Sequence, residues 1–218
     1  MNIKINVKIK ASRIIKYFVL SDLFLLAGWG FIEPVFSVFI VEKIVGATLL
    51  TVGIAAAIYW ILKSLLEIPI ANILDKIPGE KDDFLALISG LLLASFSAFA
   101  FTWVSQIWEL YVVQIVHAIA FALYLPSWSA IFSRHLDRER VSFDWSLDST
   151  ATGISAGITG LLSGLIAEKF GFSTIFIWAG FLSLISALIL IFFSKITMPK
   201  PTHSEETFKN QTPIEKGL

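Results

Sequence analysis

The chain runs to 218 residues, of which 56% are hydrophobic and 16% charged, with a formal net charge of zero and a mean hydropathy of +0.78. A soluble domain carries about 25% charged residues, so this chain lacks the polar side chains to cover a water-facing surface, and lipid must be its solvent. Zero net charge excludes long-range attraction to nucleic acid, and the absence of cysteine excludes disulfides, thiolate metal ligands and cysteine nucleophiles.

Residues 1–16 form a basic segment carrying Lys4, Lys8, Lys10, Arg13 and Lys16. The apolar run behind it has spanning length and no small-residue cleavage site, so it reads as a retained helix rather than a leader. A spanning helix needs roughly 20 mostly apolar residues. Such stretches occur at about 17–40, 49–74, 84–104, 107–132, 145–167 and 174–193, making a six-helix membrane domain over 17–195. The connectors Val104-Ser-Gln-Ile107 and Glu168-Lys-Phe-Gly171 leave no room for an extramembrane domain. Residues 196–218 hold Pro199, Pro201, Pro213 and several charges, and read as a disordered cytoplasmic tail. His203 belongs to that tail and receives no role.

Positive residues set the orientation. Fourteen Lys and Arg residues precede the first span, follow the sixth, or lie between spans two and three or four and five; only Lys43 and Lys169 lie on the other side, with Lys63 inside a span. Cytoplasmic loops carry this excess, so both termini face the cytoplasm of a cell (inner) membrane. Trp103, Trp108 and Tyr111 suit the outer interface, and Tyr17 and Trp145 the inner one.

Ionisable groups inside the spans cost about 2.5–3.5 kcal/mol each on insertion scales and usually face the bundle interior or a wet cavity. Span one carries Asp22 and Glu33, span two Lys63 and Glu67, span four Gln114 and His117, and span five Asp148. Spans three and six carry no charge between Phe84 and Val104 or between Thr174 and Phe193, and are expected to be peripheral. Asp22 and Glu33 are about three turns apart and share a face. Lys63 and Glu67 have the spacing of an intrahelical pair, which serves transport or simply holds a bundle together. Asp22 and Asp148 lie toward the cytoplasmic ends, where snorkelling or capping is the alternative. Glu33 stands beside Pro34 in mid-membrane, and His117 reads either as a packing residue or as a ligand of the path.

On span five, Asp144, Asp148, Thr152, Ser155 and Thr159 form a polar stripe, with Gly153, Gly157, Gly160 and Gly164 roughly opposite. Small residues at this spacing let membrane helices approach closely. The expectation is a polar side toward a cavity and a glycine side toward a neighbour. Gly153-Ile-Ser155-Ala-Gly157 also matches the Gly-x-Ser-x-Gly pattern of serine hydrolases. That pattern needs a strand-to-helix elbow, whereas this segment lies inside a helix, so an intramembrane hydrolase is a remote alternative and the chain reads as a non-enzyme. No two His or Cys share a face, so neither a metal nor another cofactor is implied.

Span two ends Ala71-Asn-Ile-Leu-Asp75-Lys76-Ile-Pro-Gly79 and span five ends Gly164-Leu-Ile-Ala-Glu168-Lys169-Phe-Gly171. Both read small, x, Ile, x, acid, Lys, and each closes the second helix of a three-helix unit on opposite sides of the membrane. Two such units of opposite topology make an inverted repeat.

These residues resemble the major facilitator superfamily of secondary transporters. The family's loop after the second helix, Gly-x-Leu-x-Asp-Arg-x-Gly-Arg-Arg, is matched by Ala71, Ile73, Asp75 and Lys76, then Gly79, Glu80 and Lys81 after an inserted Pro78. The resemblance implies a cytoplasmic gating latch at Asp75 and Lys76. The family's fourth-helix pattern, Leu-x-x-x-Arg-x-x-Gln-Gly, is matched at Leu110, with Gln114 at the arginine, His117 at the glutamine and Ala118 at the glycine. The resemblance therefore implies no proton coupling through that arginine. It implies alternating-access movement of a small solute past Glu33, Lys63, Glu67, Gln114 and His117, with Asp22 and Asp148 as further candidates. Members generally have twelve helices in two halves, so a six-helix chain pairs with a copy of itself or a complementary second half, or is an excerpt or relic. The remaining alternative is a non-transporting membrane scaffold.

Overall fold

The computed structural model describes residues 12–193; the basic residues before Ser12 and the tail beyond Phe193, His203 included, lie outside the described residues. Every regular element described is helical, and six helices or helix pairs are long and apolar enough to cross a membrane. The first span is α1 (Arg13–Ile32), a 3₁₀ turn (Glu33–Val35) and α2 (Phe36–Lys43). Pro34 causes the break, because its ring removes a backbone N–H and crowds the preceding turn. The others are α3 (Leu49–Leu74), α4 (Lys81–Ala100) with a 3₁₀ turn at Phe101–Trp103, α5 (Ile107–Arg134), α6 (Val141–Phe170) and α7 (Phe172–Phe192).

Helix starts are written locally. Thr48 and Thr51 exchange side-chain and backbone hydrogen bonds at the head of α3, and Gln106 and Glu109 do so at the head of α5. The Glu109 carboxylate accepts from the Ser105 and Gln106 amides at 2.8 and 3.0 Å. Helix α6 begins at Val141, four residues before Trp145. Its added turn is tied to the preceding loop by the Asp137 amide, which donates to Asp144 Oδ2 at 3.1 Å.

In space, α3 packs on α5, α5 on α4, α4 on α7, α7 on α1 and α1 on α6. One apolar cluster fills the half of the bundle near the start of α1 around Phe18, Leu87, Leu91 and Phe132, and a second fills the half near the end of the first span around Phe39, Phe101, Leu110 and Phe176. The closest approaches are made by glycines outside the expected stripe. A Cβ on Gly30 would lie 2.8 Å from Ala156 Cα on α6, and one on Gly90 would lie 2.8 Å from both Ala120 O and Tyr124 N on α5. Interhelical hydrogen bonds accompany this packing: Ser95 donates to Gly180 O at 2.8 Å, and Ser21 and Ser186 hydroxyls pair at 2.8 Å.

The charge-free third and sixth spans are well packed within the unit: 50% of the apolar stretch of α4 and 44% of that of α7 are buried within the chain, against 17% for both α3 and α6. Leu85, Phe96, Trp178 and Phe181 on α4 and α7 are exposed. Absence of charge says that a free face suits lipid; it does not say how many neighbours the other face has. One expectation needs correction: the orientation of α6 is the reverse of that expected. Its polar stripe is turned onto α1, while a Cβ on Gly153, Gly157 or Gly164 would meet nothing within 4 Å. Of the four stripe glycines, Gly160 alone approaches another element of the described chain, 3.5 Å from Pro34 Cγ.

Candidate functional site

The polar residues of the spans assemble into two groups. The outer one is built on α3 and α5, which cross close enough for rings to stack. His117 is buried and lies between two aromatic faces, Trp29 of α1 at 3.9 Å between centroids and Tyr59 of α3 at 4.2 Å. Phe121 and Phe101 present edges to the same ring. Gln114 Oε1 lies 3.1 Å from His117 Nδ1, one turn away on the same helix. With that oxygen accepting, Nδ1 carries the hydrogen and Nε2 is left a bare acceptor. Nε2 and the Trp29 Nε1 donor are both buried without a hydrogen-bond partner. The stack thus holds one unpartnered acceptor and one unpartnered donor inside apolar walls.

One turn below Tyr59, Lys63 Nζ lies 2.6 Å from Glu67 Oε1, the intrahelical pair its spacing predicts. The ammonium also lies 5.5 Å from the Trp60 ring centroid, within cation–π range. The lysine is buried, while 26% of the Glu67 side chain is exposed. Glu33, in the 3₁₀ turn of the first span, is exposed, and its carboxylate and that of Glu67 both act electrostatically on Tyr59. His117 therefore stacks directly on Tyr59, a residue the sequence did not single out, with Gln114 held against His117 and the Lys63–Glu67 pair further along α3. Its signal was available: Tyr59 stands four residues before Lys63, on the same face of α3.

The inner group joins α1, α5 and α6. Tyr124 donates its hydroxyl to Asp22 Oδ1, and the Asp148 carboxyl of α6 lies within electrostatic reach of Asp22. All three residues are buried. Tyr124, also missed in the sequence, lies two turns from His117 on one face of α5 and connects the groups through Phe121. On α6 the stripe continues outward, with Ser155 donating to Leu23 O of α1 at 3.3 Å. Ser155 sits inside a continuous helix, its hydroxyl directed to backbone carbonyls, while His117 is held in the aromatic stack. The serine-hydrolase pattern thus has no assembled partner among the described residues.

At the end of the bundle where α4 starts and α5 ends, Arg134 of α5 pairs with Asp83 of α4 and lies 3.8 Å from Glu80. Asp75 and Lys76 are exposed, and Asp75 caps α3 while acting electrostatically on Asp83 and Arg134. The charged contact across this end is therefore made by Glu80, Asp83 and Arg134, with Asp75 beside it.

The chain matches the family model described as Major Facilitator Superfamily over residues 18–218. It is also 23% identical over 164 residues to an uncharacterized MFS-type transporter of Methanocaldococcus jannaschii, a match covering 75% of this chain and 41% of that protein. The chain thus spans less than half the length of the curated relative it matches. Six membrane-length helices, ionisable groups confined at mid-depth to four of them and the match over most of its length agree: this chain belongs to the major facilitator superfamily.

Proposed function

We propose that the chain is one six-helix unit of a transporter that moves a small polar or charged solute by alternating access, its path completed by a second unit, either a copy of itself or a complementary half. The observation that carries this reading is the polar chemistry buried at mid-depth, His117 stacked on Tyr59 with Gln114 against it and the Lys63–Glu67 pair one turn further along α3, beside the two helices that the chain itself covers least. The sparsely buried α3 and α6 are the surfaces a second unit would cover, with Gly153, Gly157 and Gly164 available for close approach.

The inverted-repeat reading gains support from the neighbour pattern. Exchanging the first span with α5, α3 with α6, and α4 with α7 turns the α1–α6 contact into α5–α3 and the α1–α7 contact into α5–α4, and leaves α4–α7 unchanged. Every pair so generated is a major contact of the bundle. With the Lys and Arg bias placing both ends in the cytoplasm of the cell membrane, Asp75, Lys76 and the Arg134 cluster stand where a cytoplasmic latch belongs. One observation favours a scaffold instead: Gln114, at the arginine position of the family pattern, is occupied by His117 rather than directed at an open path.

The test is reconstitution of the chain, with its oligomeric state fixed by native mass spectrometry, and uptake of a panel of small charged solutes into liposomes. A transporter shows flux for some member of the panel that falls at least about tenfold in Lys63→Met and Glu33→Gln, with helical content retained. Folded dimers that never exceed the leak of empty liposomes would leave the scaffold reading in place.

A further inference from the structure

Helix α6 packs along α1 and reaches the 3₁₀ turn, where a Cβ on Gly160 would lie 3.5 Å from Pro34 Cγ. Beyond that point the first span continues as α2, which makes no comparable contact with α6. The two helices splay apart after the proline break, and a cleft of about 550 Å³ opens between them. Its size is that of a ligand site, roughly 300–1,000 Å³. The walls are apolar, with Val35 and Val38 on the first span and Phe172 at the start of α7. Gly164 leaves room on α6, since a Cβ there would meet nothing within 4 Å.

Three charged residues, Glu42, Lys43 and Glu168, line the same cleft, and all three are exposed. Among the described residues none of them forms an ion pair; the Lys43 ammonium lies 5.9 Å from the centre of the Phe172 ring instead. They stand at helix ends, Glu42 and Lys43 closing α2 and Glu168 in the last turn of α6. At 1.5 Å per residue the 30 residues of α6 measure about 45 Å. That length matches a bilayer with its headgroup layers, about 40–45 Å, so these charges lie at headgroup depth.

Two carboxylates and one ammonium facing one cleft complement a ligand that carries a cation beside an anion, the cation bearing N–H donors. A free zwitterion leaves the apolar walls unused, whereas a phospholipid with a primary ammonium matches walls and charges together. A choline head has the positive charge but no N–H, and a glycerol head has no cation to offset the two carboxylates.

We propose that the cleft between α2 and the end of α6 binds a phospholipid with a primary ammonium head. Glu42 and Glu168 receive the ammonium, Lys43 the phosphodiester, and the walls at Val35, Val38 and Phe172 the first acyl carbons. The site goes beyond the transporter reading and stands or falls separately from it, because none of its groups belongs to the mid-depth stack.

The test is native mass spectrometry of the full chain, delipidated in detergent and titrated with phosphatidylethanolamine, phosphatidylcholine and phosphatidylglycerol of identical acyl chains. One ethanolamine lipid should be retained at least about tenfold more tightly than either of the others, the worth of a single charge-assisted hydrogen bond. That preference should fall to the choline level in Glu42→Gln/Glu168→Gln, whereas Lys43→Ala weakens ethanolamine and choline lipids alike. Gly164→Trp, which fills the cleft, should displace the lipid. All four positions are exposed, and circular dichroism checks that the variants stay helical. Equal retention of the three lipids by the unsubstituted chain, which needs no variant to fold, overturns the proposal. So does a preference that survives in the double variant, or a lipid retained unchanged in Gly164→Trp. Soluble glycerophosphoethanolamine binding as tightly as the lipid also overturns it, by marking a site for a free zwitterion.

Discussion

Helices α4 and α7 and helices α3 and α6 use the same membrane length in opposite ways. The first pair carries no mid-membrane charge, buries about half of its apolar stretch and is held by close contacts, of Gly90 with the α5 backbone and of Gly180 with the Phe99 ring. The second pair carries Lys63, Glu67 and Asp148, buries 17%, and leaves Gly153, Gly157 and Gly164 facing open space. Lipid gives little hydrophobic drive for helix association, so packing and hydrogen bonds decide which helices stay together. The comparison teaches that α4 and α7 brace the unit, whereas α3 and α6 keep surface and polar chemistry that the chain itself does not cover.

Substitutions can break this contrast. The largest effect is expected for Gly90→Leu, which drives a side chain into Ala120 O and the Tyr124 backbone and should cost about 3 kcal/mol; loss of the monodisperse peak in detergent on mild heating would show it, and an unchanged melting point would refute the bracing role. Lys63→Met should cost about 1–2 kcal/mol, less than for a fully buried pair because Glu67 is partly exposed. Adding Glu67→Leu should restore most of that loss, and a double variant as unstable as the single would show that the pair does not act as a unit. Ser95→Ala removes the hydrogen bond to Gly180 O and should cost about 0.6 kcal/mol, readable as a small fall in steric-trap or thermal stability. Gly157→Ala, on the open side of α6, should leave unit stability within about 0.5 kcal/mol; a large loss there would mean that α6 already has a partner on that face.

The fold was legible to the extent that it rests on local rules. Runs of apolar residues marked the spans, Pro34 marked the break in the first one, and the spacing of Lys63 and Glu67 sufficed for their ion pair, since both partners lie on one helix. The site was legible only in part, because its joints run between helices. That His117 is stacked between Trp29 and Tyr59 depends on how far α1, α3 and α5 are rotated about their axes, and no spacing within one helix encodes that. The orientation of α6 was misread for a related reason. Its two stripes were correctly separated, but the small residues that bring α6 onto α1 include Gly30 on α1 itself, isolated between Trp29 and Phe31. A stripe of glycines advertises a possible approach; a single glycine opposite Ala156 makes the actual one.

Helix α6 ends at Phe170 and α7 starts at Phe172, so Gly171 alone joins them, at a φ of 82° that favours glycine. The opposite end of α6 is tied to α5 by the longer stretch from His135 to Arg140. Mechanically, α6 is a lever with its fulcrum at Gly171 and its longer-tethered arm ending at Val141. Asp148 lies about 33 Å along that arm at 1.5 Å per residue, so a swing of only about 5° carries it about 3 Å, the length of a hydrogen bond. Small angular play at one glycine is thereby geared up into the making or breaking of a single contact at the far end.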